Sequence, residues 1–157
     1  MSYYAVRYNG KLARFRRSWL VTPEERTIIK SLKIGYTLNL CSGRSRDLGD
    51  VNVDLFEPAD IKADMYHLPF KSRSFDCVIF DPPFSQFWNQ KIHKTISDLF
   101  KITKKRIILV GPWKYWHHKA WILTDVLCTI KREGIFNLIQ VYDRDANMHM
   151  TSFLYTS

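Results

Sequence analysis

The chain of 157 residues lacks any apolar run near the 18 residues that a helical membrane span requires, so no transmembrane helix is expected. Its N-terminus has no charged region followed by an apolar one, so no signal peptide is expected either. Cysteine is scarce and scattered. Cys41, Cys77 and Cys128 do not have zinc-ligand spacing, which argues against both a disulfide framework and a structural zinc site. His93, His117 and His118 find no third ligand at metal spacing, so no metal is expected and none of them is assigned a catalytic role. There is no internal repeat and no low-complexity segment. These absences fit a reducing, cytoplasmic compartment and no membrane partner. Acids are missing locally. Residues 1–20 hold Arg7, Lys11, Arg14, Arg16 and Arg17 with no Asp or Glu, and residues 101–119 hold six Lys or Arg with none.

What is present begins with the formal charge of +9, which favours a polyanionic partner through phosphate contacts and counterion release. The acids concentrate elsewhere, at Asp47, Asp50, Asp54, Glu57, Asp60 and Asp64. One half of the chain is therefore acidic beside basic stretches. The length fits one domain with a core of its own. A basic, aromatic arm and a helix would occupy residues 1–35, and a sheet 36–157. The arm, with Tyr3, Tyr4, Tyr8, Phe15 and Trp19 between its cations, reads either as a nucleic-acid contact or as an edge hairpin turning at Asn9-Gly10.

Thr22-Pro23-Glu24-Glu25 is a capping box with Pro at the first helical position, predicting a helix to about Lys33 that Gly35 ends. Short apolar runs predict strands at 37–40, 51–55, 62–64, 75–80 and 106–110. A helix at about 87–102 should bury Ile92, Ile96, Leu99, Phe100 and Thr103. A second helix is expected at about 116–132, then strands at about 136–142 and 148–155 around a turn at 143–147. Parallel neighbours need a crossover of a dozen or more residues. Neither Gly43–Val51 nor Leu55–Lys62 has room for one, so the first half of the sheet must be trimmed of helices. The back half reads as having ordinary helix–strand spacing.

The most specific chemistry is Asp81-Pro82-Pro83-Phe84, at the end of the apolar run 75–80. Each proline fixes φ and removes a donor. The Asp81 carboxylate and the Pro82 carbonyl can then stand as two fixed acceptors, matching the two N–H donors of an exocyclic amine. Phe84 offers a stacking face, worth about 1–3 kcal/mol for a base. Trp88 and Trp113 are further stacking candidates, and Lys114 a phosphate contact.

Upstream lie Leu38-Asn39-Leu40-Cys41-Ser42-Gly43, then Val51-Asn52-Val53-Asp54-Leu55, then Ala63-Asp64-Met65 followed by Leu68-Pro69-Phe70. In this order, over about residues 36–113, the chain resembles class I S-adenosylmethionine (SAM) dependent methyltransferases, and its Asp-Pro-Pro-Phe resembles the signature of enzymes that methylate adenine N6 or cytosine N4. The resemblance implies a single methyltransferase domain of Rossmann-like α/β fold, with a mostly parallel sheet and an antiparallel C-terminal strand. It implies SAM as cofactor, with Asp54 on the ribose hydroxyls and Asp64 on the adenine amine. Met65 and Leu55 would cover the adenine, and Ser42 and Gly43 would meet the methionine part. Where the family often has an acid and a glycine at the cofactor, this chain has Asn39, which would do the acid's job as a neutral partner, and Cys41; with Asp81 at the end of its strand they complete the cofactor contacts that the resemblance implies. Asp81, Pro82, Pro83 and Phe84 would act on the target base. DNA is favoured over RNA as partner. An RNA base, a basic nucleic-acid binder without activity, and a protein amide remain alternatives, and a homodimer stays open.

Overall fold

The computed structural model of the chain describes residues 3–8, 11–16, 21–112, 114, 116–130 and 136–146. Strands β1 (Tyr3–Tyr8) and β2 (Lys11–Arg16) pair antiparallel as a two-stranded sheet of their own, with Tyr8 opposite Lys11. The expected Asn9-Gly10 turn, and Arg17 and Trp19, lie outside the described residues.

Helix α1 (Pro23–Leu32) starts where the capping box predicts. Thr22 Oγ1 accepts the Glu25 N–H at 3.1 Å and the Glu25 carboxylate accepts the Thr22 N–H at 2.9 Å. Gly35 follows at φ +59°, and a Cβ there would lie 2.7 Å from the Asp76 side chain, so both conformation and space require glycine. Then come β3 (Thr37–Leu40), β4 (Val51–Asp54), a two-residue β5 (Ile61–Lys62) and β6 (Phe75–Phe80). A 3-10 turn, Phe84–Trp88, precedes helix α2 (Ile92–Ile102), so the expected helix starts later than 87. Ile92, Ile96, Leu99, Phe100 and Thr103 are all buried, as their spacing requires. Strands β7 (Thr103–Gly111), β8 (Trp121–Ile130) and β9 (Phe136–Arg144) complete the described chain. The strand expected at 148–155 lies outside the described residues, as does 147 of the turn before it; β9 itself runs through Asp143 and Arg144.

The seven-stranded sheet has the order β5-β4-β3-β6-β7-β9-β8. The first five strands are parallel. β9 is antiparallel to both β7 and β8, so β8 runs in the sense of the parallel five. The chain winds outward from β3 through β4 to β5, then returns to start again at β6 on the other side. The switch point lies between β3 and β6, where open α/β sheets bind ligands outside the carboxyl ends of their strands.

The helix expected at 116–132 is not formed among the described residues of that segment; β8 occupies 121–130 of it. Its sequence, Trp121-Ile-Leu-Thr-Asp-Val-Leu-Cys-Thr-Ile130, carries enough apolar residues to fit either period, but its β-branched content suits an extended chain. Pairing with β9 along nearly its whole length decides the matter. The consequence is that 112–120, too short for a crossover helix, joins β7 to β8. The back half is trimmed as well as the front.

Alternation along the strands sorts the core into two layers. Leu38, Leu40, Val53, Val78, Phe80, Ile107 and Leu109 pack under α2. Cys77, Ile79, Ile108, Val110 and Ile139 face α1, through Ile29, and Leu48 of a 3-10 turn, Arg46–Leu48. Where no helix fits over β3 and β4, side chains knit the loops down. Asn39 Nδ2 donates to the Ser45 carbonyl at 2.8 Å and to Asn52 Oδ1 at 3.1 Å. Asp60 accepts both the backbone and the side-chain N–H of Asn52 at 2.8 and 3.0 Å. On the same layer the Glu25 carboxylate, fully buried, accepts from Thr129 Oγ1 on β8 and Asn137 Nδ2 on β9, each at 3.0 Å. One residue thus caps α1 and pins it to the far strands.

Candidate active site

The register of four strands brings the singled-out residues to one edge. Leu40 pairs with Val53 on one side and Phe80 on the other. The next residue of each strand is therefore Cys41, Asp54 and Asp81, side by side. Asp54 pairs with Lys62, two residues before Asp64. Across the carboxyl edge the order is Asp64, Asp54, Cys41, Asp81, spanning the switch point. The electrostatics agree: burial pushes the Cys41 thiol well above its ordinary range, and the charges of Asp54, Asp81 and Asp64 push the same way. These influences all favour the neutral thiol of Cys41 over the thiolate.

The turn after β3 passes twice through left-handed backbone. Cys41 has φ +59° and Gly43 φ +51°, and nothing lies within 4 Å of where a Gly43 Cβ would stand. Cys41 bears the left-handed strain and packs its sulfur 3.7 Å from Met65 Sδ. Both N–H groups of the Asn39 amide are bound to the turn and to β4, so it positions the loop. Ser42 is 4% exposed, and its buried hydroxyl has no hydrogen-bond partner among the described residues.

The Asp54 carboxylate accepts three backbone N–H groups: Gly43 at 2.9 Å on Oδ2, and Phe56 and Glu57, each at 2.8 Å, on Oδ1. A carboxylate has about four lone-pair directions, so roughly one remains for a ligand, rather than a side-by-side pair. Leu55 is half exposed beside it and Phe56 is 74% exposed, an aromatic face the strand pattern did not single out. Asp64 Oδ1 accepts the Tyr66 N–H at 3.0 Å, and Oδ2 lies 3.3 Å from His67 Nδ1. Met65 is buried in the core layer.

On the other side of the switch point, the Asp81 N–H donates weakly to the Leu40 carbonyl at 3.4 Å. Pro82 is buried and Pro83 exposed. The Pro83 carbonyl accepts the Gln86 N–H at 2.8 Å, whereas no hydrogen bond among the described residues uses the Pro82 carbonyl. The Phe84 backbone opens the 3-10 turn; its side chain, like the whole of Trp113, lies outside the described residues. Phe87 fills the space over Gly111, where any Cβ would collide with its ring. Lys114 Nζ donates to the Phe87 carbonyl at 3.2 Å and sits 4.5 Å from the centre of the Trp116 ring. Arg7, Lys11, Arg14 and Arg16 occupy positions in β1 and β2.

Two residues missed by the motif reading join the halves. Tyr66 donates its hydroxyl to Gln86 Oε1 at 2.5 Å. Burial, then the charge of Asp64, raises the Tyr66 phenol above its usual range, keeping it a donor. Lys94 Nζ reaches the Tyr66 carbonyl at 2.9 Å and Thr95 Oγ1 the Met65 carbonyl at 3.1 Å. The loop after Asp64 is thereby fastened to the segment after Asp81. Tyr66 lies within the stretch 63–70 that the sequence singled out, but nothing there announces a partner 20 residues away.

No family model and no curated protein matches the chain. Its fold is that of class I SAM-dependent methyltransferases, and solved structures agree. Magnesium protoporphyrin IX methyltransferase (ChlM) from Synechocystis PCC 6803, solved with bound SAM, is similar at a TM-score of 0.55 and 15% identity, over 76% of this chain and 79% of that one. A protein of echinomycin biosynthesis, studied for converting a disulfide bond into a thioacetal group, matches at 0.55 and 12%, over 84% and 86%. A SAM-dependent methyltransferase from Aquifex aeolicus matches at 0.51 and 10%, over 76% and 89%. At these identities the likeness establishes the fold. Among the described residues no helix is long and apolar enough to cross a membrane, and no group of His, Cys, Asp or Glu could hold a metal.

Proposed function

We propose that the chain is a SAM-dependent methyltransferase acting on an exocyclic amino group of a nucleobase, with DNA the first substrate to test and an unpaired RNA base the second. The observation that carries this reading is the edge itself: Asp64, Asp54 and the Cys41 turn on one side of the switch point, Asp81 with its two prolines on the other. The donor set fits the cofactor. An orphaned Ser42 hydroxyl beside the open space at Gly43 suits the polar methionine end, and the remaining Asp54 acceptor suits a ribose hydroxyl. Asp64 suits the adenine amine, with Leu55 and Phe56 available beside it as apolar faces.

When bound, SAM supplies a methyl on a sulfonium, whose S–C bond breaks as a nitrogen lone pair forms the new N–C bond and sulfur leaves as a neutral thioether. The chain's task is the nitrogen. An exocyclic amine shares its lone pair with the ring. If its two N–H bonds point at the Asp81 carboxylate and the Pro82 carbonyl, the nitrogen can pyramidalise and free that pair. Hydrogen bonds to charged acceptors are worth about 1.5–3 kcal/mol, and only the part gained in the transition state speeds the reaction. The nitrogen becomes acidic as it gains the methyl, so Asp81 can take its proton without being a strong base. Arg7, Lys11, Arg14, Arg16, Arg17 and Lys114 would supply phosphate contacts.

The test is mass spectrometry of nucleosides after incubation with methyl-labelled SAM and mixed DNA and RNA. The label should appear as an N-methyl on adenine, cytosine or guanine. Label confined to protein, or to ribose or ring carbons, would overturn the amine reading.

A further inference from the structure

Residues 82–97 and 99–124 contain no Asp or Glu, and the fold brings parts of both runs together beside Asp81. The 3-10 turn Phe84–Trp88 and the start of α2 come from the first run; the link after β7 comes from the second. They are tied by the Lys114–Phe87 hydrogen bond and by the edge-on contact of His93 with Trp116, whose ring centres lie 4.8 Å apart. On this rim Trp88 is 70% exposed, although it directly follows the fully buried Phe87. Lys91, one turn further on, is exposed as well. The nearest acid along α2, Asp98, is paired with Lys94 and Lys101. On the cofactor side, by contrast, Asp47, Glu57 and Asp60 face Arg or Lys partners. An exposed tryptophan with Lys91 after it and Lys114 bonded to its neighbour Phe87, in a run of chain free of Asp and Glu between Asp81 and Asp98, has the chemistry of a single-strand track, in which aromatics stack bases and cations follow the backbone.

Resting on the nucleic-acid reading above, we infer that this rim is the landing surface for an unpaired polynucleotide: Trp88 stacks a base next to the target, while Lys91 and Lys114 contact phosphates. A target base drawn toward Asp81 leaves its stacking neighbours, and Trp88 offers a replacement face at the mouth of the site. The rim thereby does part of the work that a separate recognition domain would do.

The experiment is fluorescence anisotropy of labelled oligo-dT and oligo-U against the full chain across a salt series. Trp88→Ala should weaken binding by about five- to a hundredfold, the range of one lost base stack, and leave the salt slope in place. Trp88→Phe should recover most of the affinity. Lys91→Glu with Lys114→Gln should lower the slope by about 0.7 for each phosphate contact removed. Because Trp88 and Lys91 are exposed, the Trp88 variants and Lys91→Glu alone should keep the wild-type melting temperature and SAM affinity; Lys114→Gln also gives up the hydrogen bond to the Phe87 carbonyl, so the double variant is read by its salt slope. Wild-type binding with unaltered affinity and slope in all variants would overturn the rim and leave the nucleic-acid reading standing. A wild-type chain that binds SAM but neither oligonucleotide would overturn both. A preference for dT or U tells the two polymers apart and supports the surface either way.

Discussion

The two sides of the switch point solve the same problem with different materials. On the side of β6 and β7, apolar packing positions the loops: α2 lies over the sheet and Phe87 sits on Gly111. On the side of β3, β4 and β5, no crossover helix fits, and carboxylates position the loops instead. Asp50 accepts the Thr37 N–H, Asp54 three loop N–H groups, Asp60 that of Asn52 and Asp64 that of Tyr66. The acidic run is therefore first a set of loop staples, and only in the proposed function also a face for a cationic cofactor. Hydrogen bonds to charged acceptors can hold backbone that would otherwise be too short of partners.

The comparison breaks most visibly at Asp81. Asp81→Ala should abolish methyl transfer to an identified base while folding is retained, read as label incorporated per enzyme. Near-normal turnover would mean that Asp81 belongs to the staples rather than to the chemistry.

Glu25 tests the layer beneath the trimmed half. Glu25→Ala leaves the Thr22 N–H, Thr129 Oγ1 and Asn137 Nδ2 without their shared acceptor. Thr129 Oγ1 can still donate to the Asn137 carbonyl at 3.3 Å, but the Thr22 N–H and Asn137 Nδ2 lose their acceptor at about 1–3 kcal/mol each, so a loss of roughly 2 kcal/mol or more in denaturant melts is expected. A loss no larger than an exposed cap gives, about 1 kcal/mol, would show that the pin to β8 and β9 contributes nothing.

Tyr66 sharpens the comparison, since it joins the halves. Tyr66→Phe removes only the hydrogen bond to Gln86. The expected result is a fall in kcat of about tenfold, near the 1.4 kcal/mol that a factor of ten represents, with SAM affinity little changed. An equal loss of SAM affinity would place Tyr66 in the cofactor site itself.

The smallest effect is expected at the pair joining β7 to β9. Arg106 donates to both oxygens of Asp143, at 2.7 and 2.9 Å. Burial alone would raise the Asp143 carboxyl, but the hydrogen bonds and charge of Arg106 outweigh it and hold the carboxyl below its usual range. The pair's contribution is then complete above the ordinary carboxylate range and is lost as pH falls through the depressed value. With solvent screening at this part-exposed site it amounts to about 1 kcal/mol or less. Asp143→Asn should flatten the acid limb of the melting profile and lower stability slightly at neutral pH.

Much of this was legible in the sequence where signals are local. The capping box fixed the start of α1, and the apolar runs located β3, β4, β6 and β7, with Asp54 and Asp81 one position from their ends. β8 was not legible, because 121–130 fits a helix as well as a strand until β9 supplies its pairs. The double duty of Glu25 was hidden for the same reason: the capping box accounts for one of its partners, and the others lie more than a hundred residues away. The left-handed backbone at Cys41 was also invisible, since nothing in the residue requests it.

The division of the edge into a cofactor half and a substrate half is tested most directly by calorimetric titration of SAM into the wild type, Asp54→Ala and Asp81→Ala. Asp54→Ala should bind at least about tenfold more weakly, a loss near 1.4 kcal/mol. Its melting temperature should also fall, because Gly43, Phe56 and Glu57 lose their acceptor. Asp81→Ala should keep most of the wild-type affinity. Equal losses in the two variants, or a wild type that binds no SAM, would contradict the account.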